Sequence, residues 1–308
     1  MKKLFEPYEL SRTELEIFKE LTRSPASISE LAERVGKSPP SAMEAVEKLQ
    51  VKGFADFERH GNKKIVMLSQ AKHAQLLREL FLTSPHISWQ DLLSFSGILP
   101  LFELENVTPE AASRTTQWRA LRNMMAHGII TKDGDKVKIN PRFQKVEEFI
   151  QEFQNYNNSR LAALASEAAV IVWSRGSRFI IRVPLGTRIP DPRFKPTATT
   201  VLPRYGISLI SNVEYYFLSP SPETLGPEDV VLHTVLVDGV TNVTYALILM
   251  MKTRTDRNYL LRTAEKYHLR PQVEGMLRFL DTRRPQAGLV LPKWDEFAEK
   301  AREYGVNI

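Results

Sequence analysis

The chain has 308 residues, is 43% hydrophobic and 25% charged, and carries 42 Lys and Arg against 36 Asp and Glu, a net charge of +6. That length supports two or three cored domains, and the lack of cysteine excludes disulfides, thiolate catalysis and Cys-ligated zinc. The cation surplus favours a polyanionic partner over an acidic one; no run reaches the ~18 apolar residues of a membrane span, and a charged N-terminus without a signal peptide's apolar core points to a cytoplasmic protein with no membrane contact.

Ser11, Arg12, Thr13 and Glu14 match a capping box and open a helix whose apolar face is Leu15, Ile17, Phe18 and Leu21. Ser29 then caps a short helix with Leu31, Ala32 and Val35 at helical spacing, which Gly36 stops by taking a positive φ. Ser38 restarts the chain, Pro39 is tolerated in the first turn, and Ala42, Ala45, Val46 and Leu49 form a buried stripe. After Gly53 come two strand-like runs, Phe54 to Phe57 and Ile65 to Leu68, joined by a polar turn whose tip holds Arg59, His60, Lys63 and Lys64. Three helices and a basic-tipped hairpin predict a winged helix over residues 1–84.

The run LAERVGKSPPSAMEAVEKLQVKGF resembles the MarR and ArsR type of winged-helix transcription regulators. The resemblance implies that the second of the paired helices enters the major groove of double-stranded DNA, with Ser38, Pro40, Ser41 and Glu44 toward the bases and the wing cations Arg59, Lys63 and Lys64 on phosphate. Glu44 departs from the family pattern, which often has a basic or amide side chain there. A carboxylate repels phosphate and can only accept, for instance from cytosine N4.

Residues 85–165 repeat the pattern loosely. Trp89, Leu92 and Leu93 suggest one helix, Thr108 and Pro109 start another, and Asp133-Gly134 forms a favoured turn dipeptide between Ile129/Ile130 and Val137/Ile139. The helix before this second wing carries Arg114, Thr115, Gln117, Arg119 and Arg122 on its polar side, with Trp118, Leu121 and Met125 spaced to face a core. Arg pairs with guanine and Gln with adenine, so this face is better equipped for base readout than the helix from Pro39 to Lys48. Lys132, Lys136 and Lys138 are placed to neutralise phosphates. A long helix follows with Phe143, Val146, Ile150, Phe153 and Tyr156 in register, which suits a dimer or interdomain contact or, more simply, core packing.

Residues 166–308 read as a mixed α/β domain. Ala168 to Val172 and Phe179 to Val183 flank SRGSR as a hairpin, and the proline-rich stretch from Pro184 to Pro203 marks a hinge or extended arm. Helices are predicted at Tyr245 to Met251, Tyr259 to Leu269, Val273 to Leu280 and Trp294 to Tyr304. The arginines from Arg254 to Arg284 read as a phosphate surface or as a solvated helix face. The phrases RYGISLISNVEYYFLSP, EDVVLHTVL and LPKWDEFAEKAREYGV resemble archaeal regulators related to abortive-infection antitoxins of the AbiEi type. That resemblance implies a nucleotidyltransferase-related domain used for regulation, and a toxin as a possible protein partner.

An active nucleotidyltransferase needs a Gly-Ser turn at a helix start and paired carboxylates for magnesium. Gly176-Ser177 is present, but Asp191-Pro192-Arg193 lacks the second acid, so no catalytic residue, metal or cofactor is expected. The whole is a helix-rich α+β chain of tandem winged helices followed by a mixed α/β domain. It is expected to act as a sequence-specific DNA-binding repressor or antitoxin-like regulator, doubled in a homodimer. A winged-helix protein-interaction module is the alternative, and a nucleotide-acting enzyme the second alternative.

Overall fold

Ser11 starts the fold as expected. In the computed structural model, which describes residues 8–60, 63–94, 116–133, 136–219, 224–237, 239–286 and 288–308, its side chain and that of Glu14 form both halves of a capping box on α1 (Arg12–Leu21). The chain is a helix-rich α+β protein that divides into two compact units, residues 1–157 and 158–308.

In the first unit α1 is followed by β1 (Ala26–Ser27), α2 (Ile28–Arg34), α3 (Pro39–Val51), β2 (Ala55–His60) and β3 (Lys63–Leu68). The strands form a three-stranded antiparallel sheet in the order β1-β3-β2. Helix, strand, two helices and hairpin in this order make a winged helix. Ser27, not Ser29, caps α2, because only Ser27 stands three residues before Glu30 and so closes a capping box. The short β1 carried no periodicity of its own, and its two residues are fixed only by pairing with Val66 and Ile65. Helix α3 buries Ala42, Ala45, Val46 and Leu49, the stripe its spacing predicts.

Helix α4 (Lys72–Thr83), passed over in the sequence, buries His73, Ala74, Leu76, Leu77, Leu80 and Phe81. Then come α5 (Trp89–Leu92), α6 (Thr116–Ala126), a hairpin of β4 (Ile130–Asp133) and β5 (Lys136–Ile139), a 3-10 turn over Pro141–Phe143, and α7 (Gln144–Ala165). The expected helix start at Thr108 and Pro109 and the turn at Gly134 lie outside the described residues. Val146, Phe149, Ile150 and Phe153 of α7 are buried. Phe153 lies 5.0 Å from Phe54 and stacks on Phe149, while Phe54 meets Phe18 edge-on at 5.6 Å and His73 at 4.7 Å. The aromatic stripe of α7 therefore serves core packing of the first unit, and the segment after residue 85 shares that core with the wing.

Gly53 is held at φ +73, and a Cβ placed there would lie 2.5 Å from Cζ of Tyr156. Both the left-handed backbone and the ring demand glycine. Gly53→Ala should lower stability by about 2 kcal/mol, read as a shift in urea midpoint; Tyr156→Leu in the same chain should recover the steric part only.

The second unit is built on β6 (Val170–Arg175), β7 (Arg178–Pro184), β8 (Phe194–Pro196) and β9 (Val213–Leu218), an antiparallel sheet in the order β6-β7-β9-β8. The proline-rich stretch is neither hinge nor arm. Its middle is the edge strand β8, where Pro196 costs no ladder bond on the open side, and the 3-10 helix Ala198–Tyr205 buries Ala198, Val201 and Leu202. Then follow α8 (Pro227–Val237), α9 (Gly239–Thr253), α10 (Arg257–Lys266), α11 (Arg270–Thr282) and α12 (Trp294–Glu303). Val231, Leu232 and Ala246 to Leu249 of α8 and α9 pack in one core with Ile180, Tyr215 and Phe217 of the sheet. Among the described residues no helix is long and apolar enough to cross a membrane.

Candidate nucleic-acid interface

With its apolar stripe buried, α3 turns Pro40, Ser41, Glu44, Glu47 and Lys48 to solvent, and Ser38 caps it with Oγ accepting from the Ser41 N–H at 3.4 Å. Glu44 is not a bare carboxylate. Lys48 Nζ donates to it at 2.7 Å one turn later, and this hydrogen bond and charge hold the Glu44 carboxyl below its usual range. Lys48 and the exposed Lys37 in the turn before α3 are cations the sequence reading missed. The i, i+4 spacing of Glu44 and Lys48 was the available signal.

On the wing, Arg59 pairs with Lys64 and Phe57 with Val66, so these four share one face of the ribbon. Val66 is buried, so Arg59 and Lys64 extend the core face outward into solvent, and Lys64 Nζ rests 3.5 Å from the Phe57 ring centre. The side chains of His60 and Lys63 lie outside the described residues.

On α6, Leu121 and Met124 are buried, rather than Leu121 and Met125, and Arg119 and Arg122 stand one turn apart in solvent. Arg114, Thr115 and the side chain of Gln117 lie outside the described residues. The β4-β5 register sets Lys138 opposite Thr131, Lys136 opposite Asp133 and Lys132 opposite Val137. Lys132 and Lys138 thus lie on opposite faces, and both are exposed; the side chain of Lys136 lies outside the described residues. The structure therefore gathers Arg59 with Lys64 and Arg119 with Arg122, and it separates Lys132 from Lys138 on the second hairpin.

In the second unit Gly176-Ser177 is the turn of the β6-β7 hairpin, not a helix start. Asp191 accepts from Arg193 Nε and Nη2 at 3.0 and 2.6 Å; burial raises its pKa, but these bonds outweigh that and hold it below the usual range. The arginines of the C-terminal helices are mostly engaged within the chain: Arg257 grips Asp281 with two bonds, Arg270 meets Glu265 and Glu274, and Arg283 lies over Trp294. Among the described residues no group of three His, Cys, Asp or Glu is placed to hold a metal.

His233 is fully buried on α8. Its Nδ1 lies 2.6 Å from Thr197 Oγ1 and its Nε2 2.9 Å from the Tyr267 hydroxyl, which reaches Asp229 Oδ1 at 3.5 Å. A single directed chain satisfies all four groups: Thr197 donates to Nδ1, Nε2–H donates to Tyr267, and Tyr267 donates to Asp229. Burial pushes His233 down to about 3, so the ring is neutral and this tautomer is fixed by its partners. Residues 191–306 match the family model described as HVO_2833_C, C-terminal. The match spans β8 to α12, contains every member of the His233 chain and leaves the winged helix outside. No curated protein matches the chain.

Proposed function

We propose that this protein is a DNA-binding transcriptional regulator, repressor or antitoxin-like, acting in the cytoplasm on double-stranded DNA. The observation that carries the reading is the winged helix with α3 facing solvent and Arg59 and Lys64 side by side on its wing. Arg59 and Lys64 neutralise phosphate, Ser38, Pro40 and Ser41 approach the groove without bulk, and Arg119 and Arg122 supply the guanine-reading chemistry that α3 lacks. A homodimer doubles both sets, and a toxin is the protein partner such a regulator holds.

Gel-shift titration on the chain's own upstream region against random DNA, at low and moderate salt, tests this. Arg59→Ala and Lys64→Ala should weaken binding to every sequence alike and lower the salt slope by about 1 each. Arg119→Ala and Arg122→Ala should each cost ~1–3 kcal/mol and relax sequence preference; unchanged affinity in both removes α6 from the interface. A second reading, a protein-binding winged helix, draws on Glu44 and Glu47 in the exposed face of α3. Absence of any shift, with a stable protein partner lost on Glu47→Lys, would favour it.

A further inference from the structure

A cleft of about 300 Å³ lies in the second unit at the open edge of its sheet, between β8, the 3-10 helix Ala198–Tyr205 and the segment that leads into α8. Its floor is apolar, with Val201 and Val230 buried. Its polar side chains are Lys195, Arg204, Tyr205 and Thr224, each of which carries a donor. Among the described residues none of these four side chains bonds to another group of the chain, and no acid lines the cleft. Glu228 and Asp229, in the first turn of α8, stay out of it, and Asp229 Oδ2 accepts from the Gly226 N–H at 3.0 Å. Elsewhere in the unit Arg193, Arg257, Arg270, Lys293 and Lys300 each meet a carboxylate of the chain. Lys195 and Arg204 instead hold their charges beside a cavity that offers them no acid.

We propose that this cleft binds a small phosphate monoester carried on a single ring, with Lys195 and Arg204 on the phosphate and the ring on the apolar floor. A phosphate monoester brings nearly two negative charges and three acceptor oxygens at neutral pH, which two cations and two hydroxyls match; a carboxylate would leave one cation over. A dry cavity of about 150 Å³ takes up benzene, so this larger cleft has room for a ring with its phosphate and none for a duplex. Both cations stand on flexible stems rooted in the cleft wall, so their heads reach a phosphate at its mouth without any shift of backbone.

Phenyl phosphate, phenol and inorganic phosphate are each titrated into the full chain by calorimetry at neutral pH. Phenyl phosphate should bind, and phenol or inorganic phosphate about tenfold more weakly or less, because each supplies only the apolar or only the charged half of the contact. Lys195→Met and Arg204→Met keep an apolar stem and drop the charge. Each should weaken phenyl phosphate about three- to tenfold, between the worth of an exposed ion pair and that of a hydrogen bond to a shielded charge. Lys293→Met, which removes an exposed cation outside the cleft, should leave the affinity as it is. No binding of phenyl phosphate, binding no tighter than that of inorganic phosphate, or an equal loss in all three variants overturns the proposal. These titrations contain no DNA, so their outcome stands apart from the gel-shift result.

Discussion

Glu14→Ala should cost the first unit about 3–5 kcal/mol, the penalty of stranding one partner of a buried ion pair. Glu14 Oε1 receives Lys52 Nζ at 2.6 Å, with the two side chains 2% and 4% exposed. The same carboxylate accepts from the Ser11 backbone N–H, Lys52 Nζ also donates to the Glu9 carbonyl, and the Lys52 carbonyl meets His73 Nε2 at 2.9 Å. One acid thus ties the start of α1 to the end of α3, and Lys52 passes the tie to α4. Burial already pulls Lys52 below the usual lysine range while Glu14 opposes it, so removing Glu14 lowers the ammonium further. The folded variant then binds fewer protons than its unfolded chain, and its stability must rise with pH toward the unfolded lysine value. Urea midpoints at pH 7 and pH 9.5 check both parts. A loss under 1 kcal/mol, or a deficit that does not shrink at pH 9.5, would show that the pair does not hold the unit. Glu14→Leu with Lys52→Met should recover most of the loss, since no charge is left buried.

Acid should weaken both units through histidine before the carboxylates titrate. Burial holds His73 down at about 4 and His233 at about 3, against 6.5 in the absence of such shifts. A base with a depressed folded pKa binds its proton more readily unfolded, so the stabilisation is complete above about pH 6.5 and falls away as pH drops toward the folded value. At ~1.36 kcal/mol per pH unit, full protonation costs about 3 kcal/mol in the first unit and about 5 kcal/mol in the second. Urea midpoints between pH 7 and 4.5 should decline accordingly, and His73→Gln and His233→Gln, less stable at neutral pH, should each show a flatter decline. A slope unchanged in His233→Gln would mean that folding does not shift the titration of this ring.

The winged helix was legible because its signals are local. Capping at Ser11, Gly36 at positive φ, Pro39 at a helix start and the four-residue stripe of α3 each involve neighbours within a few positions. What escaped depends on partners far along the chain. Strand β1 exists through β3, α4 begins without a side-chain cap, and β8 looked like a linker until β9 paired with it. The candidate site divides the same way. Exposure of Arg119, Arg122, Lys132 and Lys138 followed from their place opposite an apolar stripe or on a hairpin, whereas the separation of Lys132 from Lys138 is a matter of register between two strands, which one residue of slip reverses. His233 is a packed histidine whose partners Thr197 and Tyr267 are 36 and 34 positions away.

Lys52 is the C-cap of α3, and it is the residue through which Glu14, Glu9 and His73 grip that helix. The helix proposed to read DNA is thus moored at its far end by buried charge, while Ser38, Pro40, Ser41 and Glu44 at its near end take no part in the mooring. New side chains can be tried at Pro40, Ser41 and Glu44 without loosening the scaffold, provided that Ser38 keeps its cap, which makes α3 a helix suited to retargeting by surface exchange.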